Sequence, residues 1–102
     1  MQVVVYAPDL ADRSRIAACA PGARFAKTTA EISDLAEGAD IVVLDLARPG
    51  VLGVLPTVVA RARRVVAFGP HVDSSALEEA TAAGAIALPR SRFFRDLAGV
   101  LG

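Results

Sequence analysis

The sequence predicts an α/β fold of the flavodoxin-like class, a three-layer sandwich with helices on both faces of a five-stranded parallel sheet. Five short apolar runs alternate with segments of helical periodicity along the 102 residues, which are expected to form one domain. The runs are nearly continuous in aliphatic residues, as in strands buried on both faces. The strand order 2-1-3-4-5 makes the most polar strand an edge. A Rossmann half is the weaker alternative, because no Gly-x-Gly-x-x-Gly follows the first strand.

The composition excludes several function classes. Hydrophobic residues make up 54% of the chain, which is ample for a core, and 11 basic residues balance 11 acidic ones. A neutral protein has no global field to attract nucleic acid or an anionic membrane, so neither is an expected partner. Cys19 is the only cysteine and is expected to be a small buried or half-buried residue. The absence of a leader or a long apolar stretch predicts a cytoplasmic location.

The first strand and helix are bounded by proline. Residues 3–7 are β-branched and aromatic, which predicts a buried strand that ends at residues 8–9. A helix is expected over about residues 10–20, because Pro-Gly at 21–22 is a stop signal. The polar stretch 24–27 predicts a short edge strand.

The second helix begins with a capping signal. Thr28 and Glu31 have capping-box spacing, and Gly38 can close this helix in the left-handed conformation. The apolar run 41–44 is the third strand, and a loop is expected from residue 46 to about 53.

The third helix is marked by apolar residues at helical spacing: Leu55, Val58, Val59 and Ala62. Basic residues at its end complement the helix dipole: Arg61, Arg63 and Arg64. Residues 65–68 form the fourth strand, which Gly-Pro at 69–70 ends.

The last two units also carry capping residues. Three residues can cap the fourth helix: Asp73, Ser74 and Ser75. Ser75 has capping-box spacing with Glu78, and Gly84 terminates the helix. Residues 85–88 form the last strand. Ser91 is expected to cap a final helix that carries four apolar residues: Phe94, Leu97, Val100 and Leu101.

Polar side chains follow the carboxyl ends of several predicted strands. These ends share one rim of a parallel sheet, where open α/β sheets bind ligands. Besides Asp45, which closes the third strand, the candidates are Asp9, Arg48, His71, Arg90, Ser91 and Arg92. Such a rim can bind a divalent cation, bind an anion, or neutralise itself by ion pairing. Asp45 in particular can cap the following loop or pair with one of the three arginines, and Asp9 can cap the first helix.

Residues 39–50, with the sequence Ala-Asp-Ile-Val-Val-Leu-Asp-Leu-Ala-Arg-Pro-Gly, resemble the third strand and following loop of a response-regulator receiver domain. The resemblance extends over essentially the whole chain. Five residues match the family pattern: Asp45, Pro49, Gly50, Gly84 and Ala85. In that family the matching aspartate accepts a phosphoryl group, which makes Asp45 the phospho-acceptor candidate.

Other family positions are occupied by different residues here. The acidic pair that holds Mg²⁺ falls on Ala7 and Pro8, and only the next residue, Asp9, is acidic. A metal site built from Asp9 and Asp45 alone would be weak, so no cofactor is expected. The family's switch hydroxyl falls on Gly69, and its lysine after the fifth strand falls near Ser91 and Arg92. The chain therefore resembles a degenerate receiver, or pseudo-receiver.

This resemblance implies a non-catalytic signalling module, related to two-component systems, that acts through a protein partner or as a homodimer. Receivers commonly use the fourth helix, fifth strand and fifth helix for such contacts, which here means residues 72–83 and 93–101. Phe93 with Arg92 can form an exposed anchor. The interface candidates are Phe93, Phe94 and Leu97.

The sequence leaves two alternatives open. The first is a true single-domain response regulator that is phosphorylated on Asp45 with metal support from Asp9. The second is a small anion or nucleotide site formed by His71, Arg90 and Arg92.

Overall fold

A computed structural model describes all residues, 1–102, and contains one parallel sheet. Its strands are β1 Val3–Tyr6, β2 Arg24–Phe25, β3 Ile41–Asp45, β4 Val65–Gly69 and β5 Ile86–Pro89. The order β2-β1-β3-β4-β5 confirms the predicted flavodoxin-like class. The helices are α1 Leu10–Cys19, α2 Thr29–Leu35, α3 Val51–Arg61, α4 Ser74–Ala82, α5 Arg90–Arg95 and α6 Leu97–Leu101.

The strand register brings the ends of the central strands to one edge of the sheet. Tyr6 lies opposite Leu44, Asp45 lies opposite Phe68, and the last pair of β4 and β5 joins Gly69 to Pro89. We call this the carboxyl edge, and the opposite edge, where the strands begin, the amino edge. Loops that follow the strands therefore meet at the carboxyl edge, as the sequence predicts.

Two hydrophobic clusters form the core, one on each face of the sheet. Alternate residues of a strand point to opposite faces, so Val4 and Val42 contact one cluster while Val5 and Val43 contact the other. The first cluster includes aliphatic residues of α2, α3 and α4: Ile32, Val51, Leu55, Val58 and Ala80. The second includes residues of α1, α5 and α6: Ile16, Phe93, Phe94, Leu97 and Leu101.

The C-terminal helix differs from its prediction. Ser91 caps nothing, because α5 begins at Arg90 immediately after β5, and Asp96 separates α5 from α6. The side chains of Phe93, Phe94 and Leu97 all face the sheet and are buried, Phe93 completely. The prediction of an exposed Phe93 is wrong, and these three interface candidates are core residues.

An aromatic cluster explains this burial. The Phe93 ring stacks on the Phe68 ring with centroids 4.6 Å apart. The Phe94 ring meets both others edge to face, at centroid distances of 5.2 Å and 4.9 Å. Offset stacked and edge-to-face pairs are favourable beyond the area that they bury. The rings of Phe93 and Phe94 are therefore both buried, whereas the sequence predicted that one of them is exposed.

The helix caps agree with the sequence in part. The Thr28 hydroxyl accepts from the Glu31 amide at 3.0 Å, but the Glu31 carboxylate accepts from the Lys27 amide rather than completing a capping box. Asp73 caps α4 by accepting from the Ala76 amide. The predicted Ser75 capping box does not form.

Glycines close two helices as predicted. Gly38 and Gly84 have φ values of +74° and +107°, which favour glycine. A Cβ on Gly84 would also lie 3.0 Å from the Val59 side chain.

Two further predictions differ from the structure. Helix α3 begins at Val51, which is earlier than predicted, and Cys19 is exposed rather than buried or half-buried. No helix combines the length and the apolar composition needed to cross a membrane.

Candidate functional site

Asp45 is buried at the carboxyl edge, with 4% of its surface exposed. It ends β3 and points to the same face as Ile41 and Val43, which is the face covered by α1 and α5. Its Oδ1 accepts a hydrogen bond from the Ala47 amide at 3.0 Å, and its Oδ2 lies 3.6 Å from Arg48 Nε. The predicted loop cap and the predicted Arg48 pair both form, because the chain turns back immediately after the strand.

Burial raises the pKa of Asp45 above its usual value, since the ionised carboxylate loses contact with water. The negative charge of Asp12 raises this pKa further. The Ala47 amide, Arg48 and Arg90 act in the opposite direction but do not cancel the effect of burial.

Asp12 is a site residue that the sequence analysis missed. Only 2% of its surface is exposed, and both of its carboxylate oxygens bind Arg90. Arg90 Nη1 donates to Asp12 Oδ2 at 2.9 Å, and Nη2 donates to Oδ1. These hydrogen bonds also raise the pKa of Arg90. A forked pair of this kind is strong and geometrically specific.

A signal for Asp12 was present in the sequence. Asp12 and Ile16 are the buried residues of α1, and they are separated by four positions, the spacing of one helix face. Ile16 packs against the sheet. Asp12 lies one turn earlier on the same face of the helix, so it faces the sheet as well. The partner could not be found in this way, because Arg90 is 78 residues away.

Asp9 has a structural role in the same region. Its side chain accepts a hydrogen bond from the Asp12 amide at 3.0 Å and is the N-cap of α1. The interpretation of Asp9 as a helix cap is therefore confirmed. The cap fixes the first turn of α1, which carries Asp12 to the sheet.

The other candidates divide into two groups. Arg48 contacts Asp45, as described. His71, Ser91 and Arg90 line a cavity of about 380 Å³ together with Arg15, Pro70 and Phe94. Arg92 does not line it and is exposed on α5. The cation that reaches the carboxylates from the end of β5 is therefore Arg90, and not Arg92.

Gly69 lies where receivers carry a hydroxyl residue, and the surrounding side chains leave little room for one. Gly69 is buried at the end of β4. A Cβ built there would lie 3.3 Å from the Cβ of Leu46, which is closer than most such contacts. A serine or threonine would require Leu46 to move.

The residues of the carboxyl edge do not fit the Mg²⁺ site that the receiver resemblance implies. Both oxygens of Asp12 are bound by Arg90, and Asp9 is engaged as a helix cap. The Asp45 oxygens contact the Ala47 amide and Arg48. Mg²⁺ demands free oxygen ligands in near-octahedral geometry, whereas here the guanidinium of Arg90 neutralises Asp12 and that of Arg48 lies beside Asp45. No cluster of three or more acidic, histidine or cysteine side chains has metal-binding geometry.

Comparison with solved structures shows a likeness in fold. The chain resembles the crystal structure of a protein assigned as CpaE2, a pilus assembly protein of Sinorhizobium meliloti 1021, with a TM-score of 0.62. The match covers 95% of this chain and 97% of that one at 17% sequence identity. No family model and no curated protein matches the sequence. At this identity the likeness shows a receiver-like α/β fold.

Proposed function

We propose that this protein is a non-catalytic, receiver-like signalling module that acts through protein–protein interaction or self-association. The observation that carries the proposal is the internal neutralisation of the carboxylates at the carboxyl edge. Asp12 is bound at both oxygens by Arg90, and Asp45 is held by the Ala47 amide and Arg48. Phosphoryl transfer needs cations that stabilise the charge on the transferring group. Here the guanidiniums of Arg90 and Arg48 are already engaged by Asp12 and Asp45.

The position of Gly69 supports the same proposal. A Cβ there would lie 3.3 Å from the Cβ of Leu46, so a switch hydroxyl at this position would require Leu46 to shift. Phosphorylation of Asp45 with metal support from Asp9 is therefore the weaker alternative.

The interaction surface that we propose includes α4 and β5. Four large apolar side chains of the protein are exposed: Met1, Leu10, Val72 and Ile86. Two of them lie in this region, with Val72 just before α4 and Ile86 at the start of β5. Since β5 pairs only with β4, its outer edge has unpaired backbone groups that another chain can bind. These two residues replace the buried phenylalanines as candidate anchors.

The likeness to a pilus assembly protein suggests that such a module can work within an assembly rather than as a phosphorylation switch. It also suggests that self-association should be tested directly. A substitution on the exposed edge of β5 is expected to disrupt self-association.

The test is sedimentation equilibrium of the purified protein and two matched variants. Ile86→Glu places a charge on the edge strand, and Leu10→Glu places the same charge on an exposed residue of α1. We expect Ile86→Glu to weaken self-association by tenfold or more, and Leu10→Glu to leave it unchanged. A protein that is monomeric at all concentrations, or equal effects of the two variants, would contradict self-association through β5.

A further inference from the structure

The cavity next to the Asp12–Arg90 pair has an unusual charge composition. It is lined by Arg15, Pro70, His71, Arg90, Ser91 and Phe94, and no acidic side chain lines it. Three parts of the fold form its walls: α1, the loop between β4 and α4, and α5. Its volume of about 380 Å³ lies at the lower end of the range for small-molecule sites, which run from roughly 300 to 1,000 Å³.

The hydrogen-bond donors of this cavity are largely free. Arg90 is neutralised by Asp12, and it is the only lining residue whose side chain forms a hydrogen bond within the protein. Arg15 takes part in none of the ion pairs. The imidazole of His71 and the hydroxyl of Ser91 likewise have no protein partner. The cavity therefore presents one unpaired guanidinium and two further donors.

Phe94 holds Arg15 in place. The Arg15 guanidinium carbon lies 4.1 Å from the centroid of the Phe94 ring, and that of Arg90 lies 5.0 Å from the same centroid. A guanidinium stacked on a ring keeps its N–H groups free at its edge. Phe94 is itself fixed by the aromatic cluster with Phe68 and Phe93, so this wall of the cavity is rigid.

We propose that this cavity binds a phosphate monoester. The planar guanidinium of Arg15 matches two oxygens of a phosphate group, and His71 and Ser91 donate to the others. The cavity is larger than a phosphate group requires, and Phe94 and Pro70 offer an apolar wall for the organic part of the ester. The site is distinct from Asp45, and it does not depend on the proposed interaction surface of α4 and β5.

Amide NMR titrations of the full chain test this proposal at constant ionic strength. The probes are phenyl phosphate, inorganic phosphate and phenol. We expect phenyl phosphate to shift the amides of Arg15, His71, Ser91 and Phe94 in a saturable manner. Inorganic phosphate should bind the same residues more weakly, because it lacks the ring, and phenol should cause no shift because it lacks the anion.

Two variants of α1 make a matched pair. Arg15→Gln removes the unpaired cation of the cavity and is expected to weaken phenyl phosphate binding at least about fivefold, since a charge-assisted hydrogen bond is lost. Arg13→Gln is the control, because Arg13 stacks on Phe25 at 5.1 Å and does not line the cavity. His71→Gln provides a second test on another wall and should also weaken binding.

Two results would overturn anion binding by this cavity, and a third would overturn its assignment to a phosphate monoester. One is the absence of saturable shifts at millimolar phenyl phosphate. The other is a set of shifts spread over all surface arginines, with Arg13→Gln and Arg15→Gln equal in effect, which would mean screening of surface charge only. If inorganic phosphate binds as well as phenyl phosphate does, the assignment to an ester is wrong.

Discussion

The two ends of β3 carry the same residue type in opposite environments. Asp40 precedes the strand at the amino edge, accepts from the Gln2 amide at 2.6 Å and contacts Arg63 at 3.4 Å. Asp45 ends the strand at the carboxyl edge and is buried. The hydrogen bond from Gln2 and the charge of Arg63 lower the pKa of Asp40, whereas burial raises the pKa of Asp45. The fold therefore favours the ionised form of Asp40 and disfavours that of Asp45, although the two residues are only five positions apart.

The difference shows how the carboxyl edge is specialised. At the amino edge, exposed carboxylates and arginines pair in water, which contributes little stability. At the carboxyl edge, the carboxylates of Asp12 and Asp45 are withdrawn from water and depend on Arg90, Arg48 and a backbone amide. A raised pKa such as that of Asp45 is typical of functional sites, and also of structural ion pairs. The substitutions below separate these two roles.

The largest effect is expected from breaking the buried pair. Arg90→Met leaves the Asp12 carboxylate buried without a counter-charge and should lower the free energy of unfolding by about 2–3 kcal/mol. This is less than for a fully buried pair, because 44% of the Arg90 side chain is exposed. Arg63→Met breaks the exposed pair at the amino edge and should have little effect. Urea denaturation of both variants tests the contrast, and equal losses would contradict it.

The second largest effect on stability is expected at Gly69, where receivers carry a hydroxyl residue. Gly69→Ser should destabilise the protein by about 1–2 kcal/mol, because its Cβ would crowd the Leu46 side chain. The double variant with Leu46→Gly should show that the two changes are not additive, since glycine at position 46 has no Cβ to meet the new side chain. A Gly69→Ser variant as stable as the parent protein would mean that Leu46 moves freely.

A smaller effect, with a distinct pH dependence, is expected at Asp45. Because its pKa is raised in the folded state, it contributes stability below the ordinary aspartate pKa, and this contribution is lost as the pH rises through the folded-state value. Asp45→Asn should therefore stabilise the protein by about 1 kcal/mol near neutral pH. The gain should disappear on acidification below about pH 4.

Asp40→Asn is the matched control for this pH dependence, and its sign is opposite. The pKa of Asp40 is lowered, so Asp40 contributes stability above its ordinary pKa and loses that contribution as the pH falls through the folded-state value. Its replacement should destabilise the protein near neutral pH and have no effect in acid. Denaturation curves of both variants across this range test the comparison, and the same sign for both would contradict it.

The smallest effect is expected at Arg48. Its pair with Asp45 is 3.6 Å long, and 40% of the Arg48 side chain is exposed. Arg48→Gln should change stability by about 0.5 kcal/mol or less. A larger loss would show that Arg48, rather than the Ala47 amide, holds Asp45 in place.

The sequence predicts the sheet well because its strands are apolar runs that depend on local pattern alone. Residues 41–44 and 65–68 read directly as buried strands, and the polar second strand predicts its edge position. Gly38 and Asp9 likewise act through local backbone geometry.

The site was less predictable, because it depends on contacts between distant segments. Asp12 and Arg90 meet only after α1 and α5 pack on the same face of the sheet. The burial of Phe93 depends on the start of α5 immediately after β5 and on the ring of Phe68 beneath it. Neither contact leaves a local pattern, and so Asp12, the partner of Arg90, was missed and Phe93 was wrongly predicted to be exposed.

The most direct test of the central claim is an amide NMR titration with Mg²⁺ followed by beryllofluoride, a stand-in for an aspartyl phosphate. If the carboxylates of the carboxyl edge are neutralised internally, the amides around Asp12, Asp45, Gly69 and Arg90 will not shift. Saturable shifts at these residues that vanish in Asp45→Asn would contradict the claim and identify a working phosphorylation site.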